Sequence, residues 1–214
     1  MDPNDRKTIE SFVKSFEEVR VKIHNSNPDC IIAPMFGAVP FIDILNILDE
    51  NFPNEKVEYV PASNKLHKLR EVLREVFERV IGGYATPKGG LFMSIDEVVS
   101  GNSLVRVYKQ FDNARTNYAN RKAVETYGKN VDFRDESVRA FRDSVRDSIR
   151  YHSVAIVDSK MDRLGKARNP EYEGLVDSGI VVPVKTDQIV TMDRLDFFPA
   201  RYKTEKDSEG KEVY

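Results

Sequence analysis

The sequence predicts an α/β fold: a mainly parallel sheet flanked by helices. Three observations carry this expectation. Short, almost wholly apolar runs, such as Cys30-Ile31-Ile32-Ala33 and Leu91-Phe92-Met93, have the character of strands buried on both faces. Between such runs lie segments with apolar residues at helical spacing, as at Leu66, Leu69, Leu73, Val76, Phe77 and Val80. Turn-forming clusters stand where a strand would hand over to a helix, at Met35 to Ala38 and at Ser100 to Ser103. Strand and helix alternating along one chain is the pattern of a parallel sheet.

Taken in order, Asp2-Pro3 can cap and open a first helix, whose apolar positions are Ile9, Phe12, Val13, Phe16, Val19 and Ile23. Asn25 to Asp29 ends it, and Cys30 to Ala33 forms the first strand. A second helix opens at Pro40 and carries Ile44, Leu45 and Leu48. Val57 to Val60 is the second strand, closed by Pro61. The third helix follows, from about Leu66 to its expected end at Gly82-Gly83. Leu91 to Ile95 is the third strand, and a helix runs from about Leu104 to Lys122. Ser153 to Val157, Ile180 to Val184 and the shorter Ile189 to Met192 complete the strands. The tail, residues 204–214, is charged and without apolar period, so it is expected to be mobile.

Composition narrows the function classes. With 214 residues and 40% hydrophobic residues, the chain can bury a real core, and a single domain spanning 1–214 is expected. Its 33 Lys+Arg against 35 Asp+Glu give a net charge of −2, which argues against an obligate nucleic-acid partner. One cysteine, Cys30, allows no internal disulfide and no Cys-rich zinc site. At the head of a buried strand it reads as inert core. His24, His67 and His152 show no ligand spacing. Met1 to Glu10 does not read as a signal peptide. The longest uncharged stretch, Cys30 to Ile42, has 13 residues where a membrane span needs roughly 20. A soluble, cytoplasmic protein without a membrane partner is the expectation.

The stretch that carries chemistry runs from Leu91 to Leu104. Apolar strand residues come first, then the carboxylates Asp96 and Glu97, then Val98-Val99, then Ser100-Gly101-Asn102-Ser103 entering a helix. This order suits a phosphorylated sugar. Gly101 permits a tight turn and close backbone approach, and free N–H groups at the start of a helix attract phosphate. The Ser100 and Ser103 hydroxyls add donors. Asp96 and Glu97 can accept hydrogen bonds from ribose hydroxyls or help hold Mg2+. The plainer account of Ser-Gly-x-Ser is turn and helix-cap chemistry, and that of Asp96-Glu97 is solvated charge at a strand end.

This stretch resembles the phosphoribosyl pyrophosphate (PRPP) motif of the type I phosphoribosyltransferases, where a strand ends in two acidic residues and continues into a Thr-Gly-x-Thr phosphate loop. Met35-Phe36-Gly37-Ala38 stands where that family has its pyrophosphate loop. The last third is nearest in layout to the hypoxanthine-guanine branch. Ser153 to Lys160 is similar to its strand ending in a base-side lysine, and Ile189-Val190 to the apolar pair flanking the base. Leu195-Asp196 with the later Arg201 resembles its residues for Mg2+ and pyrophosphate.

The resemblance implies a type I phosphoribosyltransferase-like fold with a small hood. Its reaction transfers a phosphoribosyl group between PRPP and a nucleobase-like acceptor, with Mg2+ as cofactor. Asp96 and Glu97 would be catalytic, Val98 to Ser103 would bind phosphate, and Met35 to Ala38 pyrophosphate. Lys65, Lys68 or Lys88 would come from the hood and loop. Aligned without gaps, Asp96 takes the second acidic position and Ile95 replaces the first; a one-residue deletion restores the Asp96-Glu97 pair but shortens the loop. Val99 and Ile189 replace an acidic and an aromatic residue of the purine enzymes, which argues against a standard purine. The alternative is a catalytically degenerate PRPP or nucleotide sensor, or an interaction protein keeping the fold, such as a stress or defence effector.

Residues 113–150 are polar and form a charged helical insertion, where two helices stand in place of the family's one. Arg142, Arg146 and Arg150, with Arg139 nearby, fall in one helical stripe. Asp135, Asp143 and Asp147 at matching spacing favour a salt-bridged, solvated face over a phosphate-facing one. Val138, Phe141, Val145 and Ile149 form an apolar edge that packs on this domain or on a second copy, giving a homodimer.

Overall fold

The computed structural model describes residues 3–35, 37–62, 70–98, 100–158, 169–186, 205–206 and 212–213. Five strands form one sheet: β1 (Cys30–Pro34), β2 (Val57–Val60), β3 (Gly90–Val98), β4 (Ile149–Asp158) and β5 (Val181–Thr186). All neighbours are parallel, in the order β2-β1-β3-β4-β5. The helices are α1 (Pro3–Ser26), α2 (Val39–Leu48), α3 (Arg70–Tyr84), α4 (Asn102–Tyr127), α5 (Glu136–Ser148) and α6 (Pro170–Asp177). The expected α/β class with a parallel sheet between helices is therefore present.

Strand alternation sorts the core into two sides. Ile31, Ala33, Met93, Ile95, Val154 and Ile156 face α1 and α2, where Phe12, Phe16, Val19, Ile23, Phe41, Ile42 and Leu45 meet them. Cys30, Ile32, Phe92 and Tyr151 face α3 and α4 through Phe77, Val80, Ile81 and Phe111. Val98, Ala155, Val157 and Val181 meet Leu104, Val105 and Tyr172 on the same side. Burying apolar side chains on both faces explains the unbroken apolar runs Cys30 to Ala33, Leu91 to Met93 and Val154 to Val157 within these strands.

Several boundaries differ from the sequence reading. Helix α3 continues through Gly82-Gly83 to Tyr84, whose hydroxyl donates to Glu58 Oε1 at 3.0 Å. Neither glycine takes a positive φ, so neither ends the helix. β3 runs past Ile95 to Val98, because Asp96, Glu97 and Val98 pair with Ala155, Ile156 and Val157 of β4. β4 begins at Ile149, so Ile149 and Arg150 belong to a strand and leave the helical stripe; they sit opposite Gly90 and Leu91. Pairing with β3 outweighs their helical period. Helix α6 was not anticipated, although Asn169-Pro170 is a start signal: the Asn169 side chain accepts from Glu171 N–H at 2.9 Å.

Residues 113–150, which include the second half of α4 and all of α5, pack on their own chain. Val138 is buried, and Phe141 meets Tyr127 edge-on at 5.5 Å. Asp112 of α4 binds Arg115 at 2.6 Å and Arg146 of α5 at 3.1 Å, while Arg142 pairs with Asp143 at 3.1 Å. Arg142 and Arg146 are thus paired, but not by the expected i+3 and i+4 spacing. Asp135 instead caps α5, accepting from Ser137 N–H at 2.8 Å, and the apolar edge is used within the domain. Strand Ile189 to Met192 lies outside the described residues, as does most of the tail, of which Glu205–Lys206 pairs antiparallel with Glu212–Val213. Among the described residues no helix is long and apolar enough to cross a membrane.

Candidate functional site

In open parallel sheets, ligands lie beyond the carboxyl ends of the strands where the strand order reverses. Here that point falls between β1 and β3. The two strands pair only as far as Ile32 opposite Ser94. Beyond it, Ala33 and Pro34 stay with Tyr59 and Val60 of β2, while Ile95 to Val98 stay with β4. The β1/β3 pairing ends here, at the place where open parallel sheets put their ligand crevice.

The loop after β1 forms one wall. Met35 N–H donates to Val60 O at 2.8 Å and Ala38 N–H to Pro34 O at 2.9 Å, so the turn is fixed at both ends. Ala38 is buried and starts α2 without a side-chain cap. Gly37 lies against the opposite wall. A β-carbon on it would stand 2.7 Å from Asp96 Oδ1. Phe36 lies outside the described residues.

Asp96 forms the other wall and is only 6% exposed. Burial pushes its carboxyl up to about 7; the Glu97 N–H bond at 2.9 Å opposes the rise, and the Glu97 charge adds to it. Behind it, on the same face of β3 and β4, lie three buried hydroxyls. Ser94 Oγ meets Tyr151 OH at 2.6 Å and donates to Ser153 Oγ at 2.8 Å. Burial raises the Tyr151 hydroxyl above its ordinary value. Glu97, next along an extended strand, projects from the other face and is half-buried. The two carboxylates expected as a pair therefore serve different sides of the sheet.

Past β3, Gly101 takes φ +80° ahead of α4, and Val105 N–H bonds its carbonyl at 3.0 Å. A left-handed residue here favours glycine. A β-carbon would also meet the Tyr172 ring at 2.6 Å, so this side of Gly101 is filled by protein and closed to a phosphate. Val98 is buried, Ser100 and Ser103 are half-buried, and Asn102 is exposed. Asn169 holds the loop twice: its N–H donates to Ser100 O at 2.9 Å and its Nδ2 to Asn102 Oδ1 at 2.8 Å. Asn169 and Tyr172 were missed as site residues because their partners lie far away in the chain.

The remaining candidates separate clearly. Val99, Lys160, Ile189, Val190, Asp196 and Arg201 lie outside the described residues, as do Lys65, His67 and Lys68. Lys88 sits in the turn before β3, at the end of the strand opposite the crevice. Cys30 also lies at that opposite end, and burial pushes its thiol up to about 12, which keeps it protonated and unreactive. Among the described residues no three His, Cys, Asp or Glu side chains are grouped to hold a metal ion. Comparison of the chain with protein-family models, curated proteins and solved structures finds no match.

Proposed function

We propose that this chain is a phosphoribosyltransferase-like protein that binds PRPP or a nucleotide in the β1/β3 crevice. The observation that carries the reading is the contact of Gly37 with Asp96 at the switch point. It joins the two segments that the resemblance assigns to pyrophosphate and to ribose. In this reading the backbone around Gly37 holds the pyrophosphate, Asp96 faces the ribose, and the first N–H groups of α4 with Ser100 and Ser103 take the 5′-phosphate.

The transfer would displace pyrophosphate from C1 by a nitrogen of a nucleobase-like acceptor. Its transition state gathers positive charge on the ribose, so an ionised Asp96 would stabilise it and a neutral one would not. Mg2+ commonly combines one or two carboxylates with phosphate oxygens, which suits an ion that arrives on the pyrophosphate; it would neutralise the departing charge.

A second reading is binding without turnover, as in a nucleotide sensor. It is favoured by the burial that raises the Asp96 carboxyl, since a neutral carboxyl would not stabilise positive charge on the ribose. One experiment separates the two. Calorimetry with PRPP and Mg2+ should show binding, and a pyrophosphate-release assay across a panel of bases should show turnover that Asp96→Asn abolishes. Binding without turnover on any base selects the sensor. Absence of binding by PRPP and by nucleotides removes both.

A further inference from the structure

Beside the Ser100–Ser103 loop lies a groove of about 300 Å3 between the first turns of α4 and the start of α6. Asn102, Arg106, Lys109 and Gln110 line it from α4, at the spacing of one helical face, and Asn169 and Glu171 line it from α6. Two cations, one carboxylate and three amides stand around Val105, so the lining is part polar and part apolar and carries one more cation than carboxylate. Such a lining fits a compact anion rich in oxygen acceptors.

Two features tie the groove to the loop. Asn102 belongs to both, and its side-chain oxygen is fixed by Asn169 Nδ2 at 2.8 Å. Arg106 and Lys109 stand about 6 Å and about 10 Å down the helix axis from Asn102, a distance that a short chain of phosphates and a long side chain cover together. A carboxylate already shows where an anionic oxygen is held, since Glu171 Oε2 lies 2.5 Å from Lys109 Nζ.

We infer that this groove receives the outer phosphates of a nucleoside 5′-di- or triphosphate whose first phosphate lies at Ser100–Ser103. The inference rests on the phosphate reading of that loop and names the ligand class of the binding-only alternative. Glu171 then acts as a built-in competitor: an incoming phosphate displaces it from Lys109.

Calorimetry on the full chain at low salt, with adenosine mono-, di- and triphosphate and inorganic tripolyphosphate, tests this. Affinity should rise at least about tenfold from mono- to triphosphate, the effect of one or two charge-assisted contacts. Lys109→Gln should remove that rise while leaving monophosphate binding unchanged. Glu171→Gln should act oppositely and tighten triphosphate binding about threefold, a change of sign that loss of folding cannot mimic. Equal affinity for the three nucleotides, or a rise that survives Lys109→Gln, overturns the inference while leaving the loop reading intact. Lys109-dependent binding of tripolyphosphate without any nucleotide binding keeps the groove and overturns the loop reading. No binding of any probe overturns both.

Discussion

Gly37 and Asp96 touch across the crevice so closely that residue 37 has no room for a side chain: its β-carbon would lie 2.7 Å from Asp96 Oδ1. The loop backbone after β1 and the buried carboxyl of β3 thus lie side by side at the switch point.

Gly37→Ala must therefore shift the loop or Asp96. Overpacking of this kind costs about 1–3 kcal/mol. Thermal unfolding should show the loss, and calorimetry should show weaker PRPP binding. An unchanged melting temperature and unchanged affinity would mean that the loop moves freely and that the contact has no structural role.

Asp96→Asn should change the pH profile of stability. Burial raises the Asp96 carboxyl from 3.8 to about 7, so the folded state holds a proton that the unfolded state has released. Wild-type stability from this group is complete below 3.8 and declines as pH rises to about 7. The Asn variant lacks the decline. Denaturant melts at pH 4 and pH 8 should show the variant gaining on the wild type at pH 8; parallel profiles would refute the burial argument.

At the other end of the sheet, Asp49 bonds His24 Nε2 at 2.5 Å and accepts from Asn51 N–H at 3.0 Å. The His24 bond holds its carboxyl below 3.8. Its contribution is present above 3.8 and fades as pH falls below that value. Asp49→Ala should destabilise the fold by about 1–2 kcal/mol at neutral pH. The difference from wild type should shrink in acid melts.

Gly83 offers the opposite case to Gly37. It lies inside α3 with nothing within 4 Å of a β-carbon. Gly83→Ala should stabilise by about 0.5–1 kcal/mol through helix propensity alone. A destabilising result in thermal melts would reveal a requirement for glycine that the geometry does not contain.

What was legible in the sequence follows from what was local. Cys30 to Ala33 declared itself because a strand buried on both faces is apolar throughout, and the edge strand Val57 to Val60 because Pro61 closes a short valine-bounded run. The turn at Gly37 and the carboxyl at Asp96 were found as positions, yet their contact needs the separation of β1 from β3. The end of β3 depends on Val154 to Val157, which keep Ile95 to Val98 extended, so the burial of Asp96 and the divergence of Glu97 were hidden. The same holds for Arg150, which helical spacing placed beside Arg146 and strand pairing placed opposite Leu91. Tyr172 over Gly101 is a long-range contact with no local sign.

The central pair of strands has a kinetic consequence. Ser94 and Ser153, bonded at the middle of the β3/β4 ladder, are 59 residues apart. Parallel pairing across so long a connection raises contact order and slows folding, and every doubling of an unstructured loop adds about 0.6 kcal/mol to closure. Docking of α5 on α4, which Asp112 and Arg146 join at 3.1 Å, would shorten that connection if it came before the strands meet. In that order of events the charged helices are a scaffold for assembly, and loosening the Asp112–Arg146 pair should slow refolding more than it speeds unfolding.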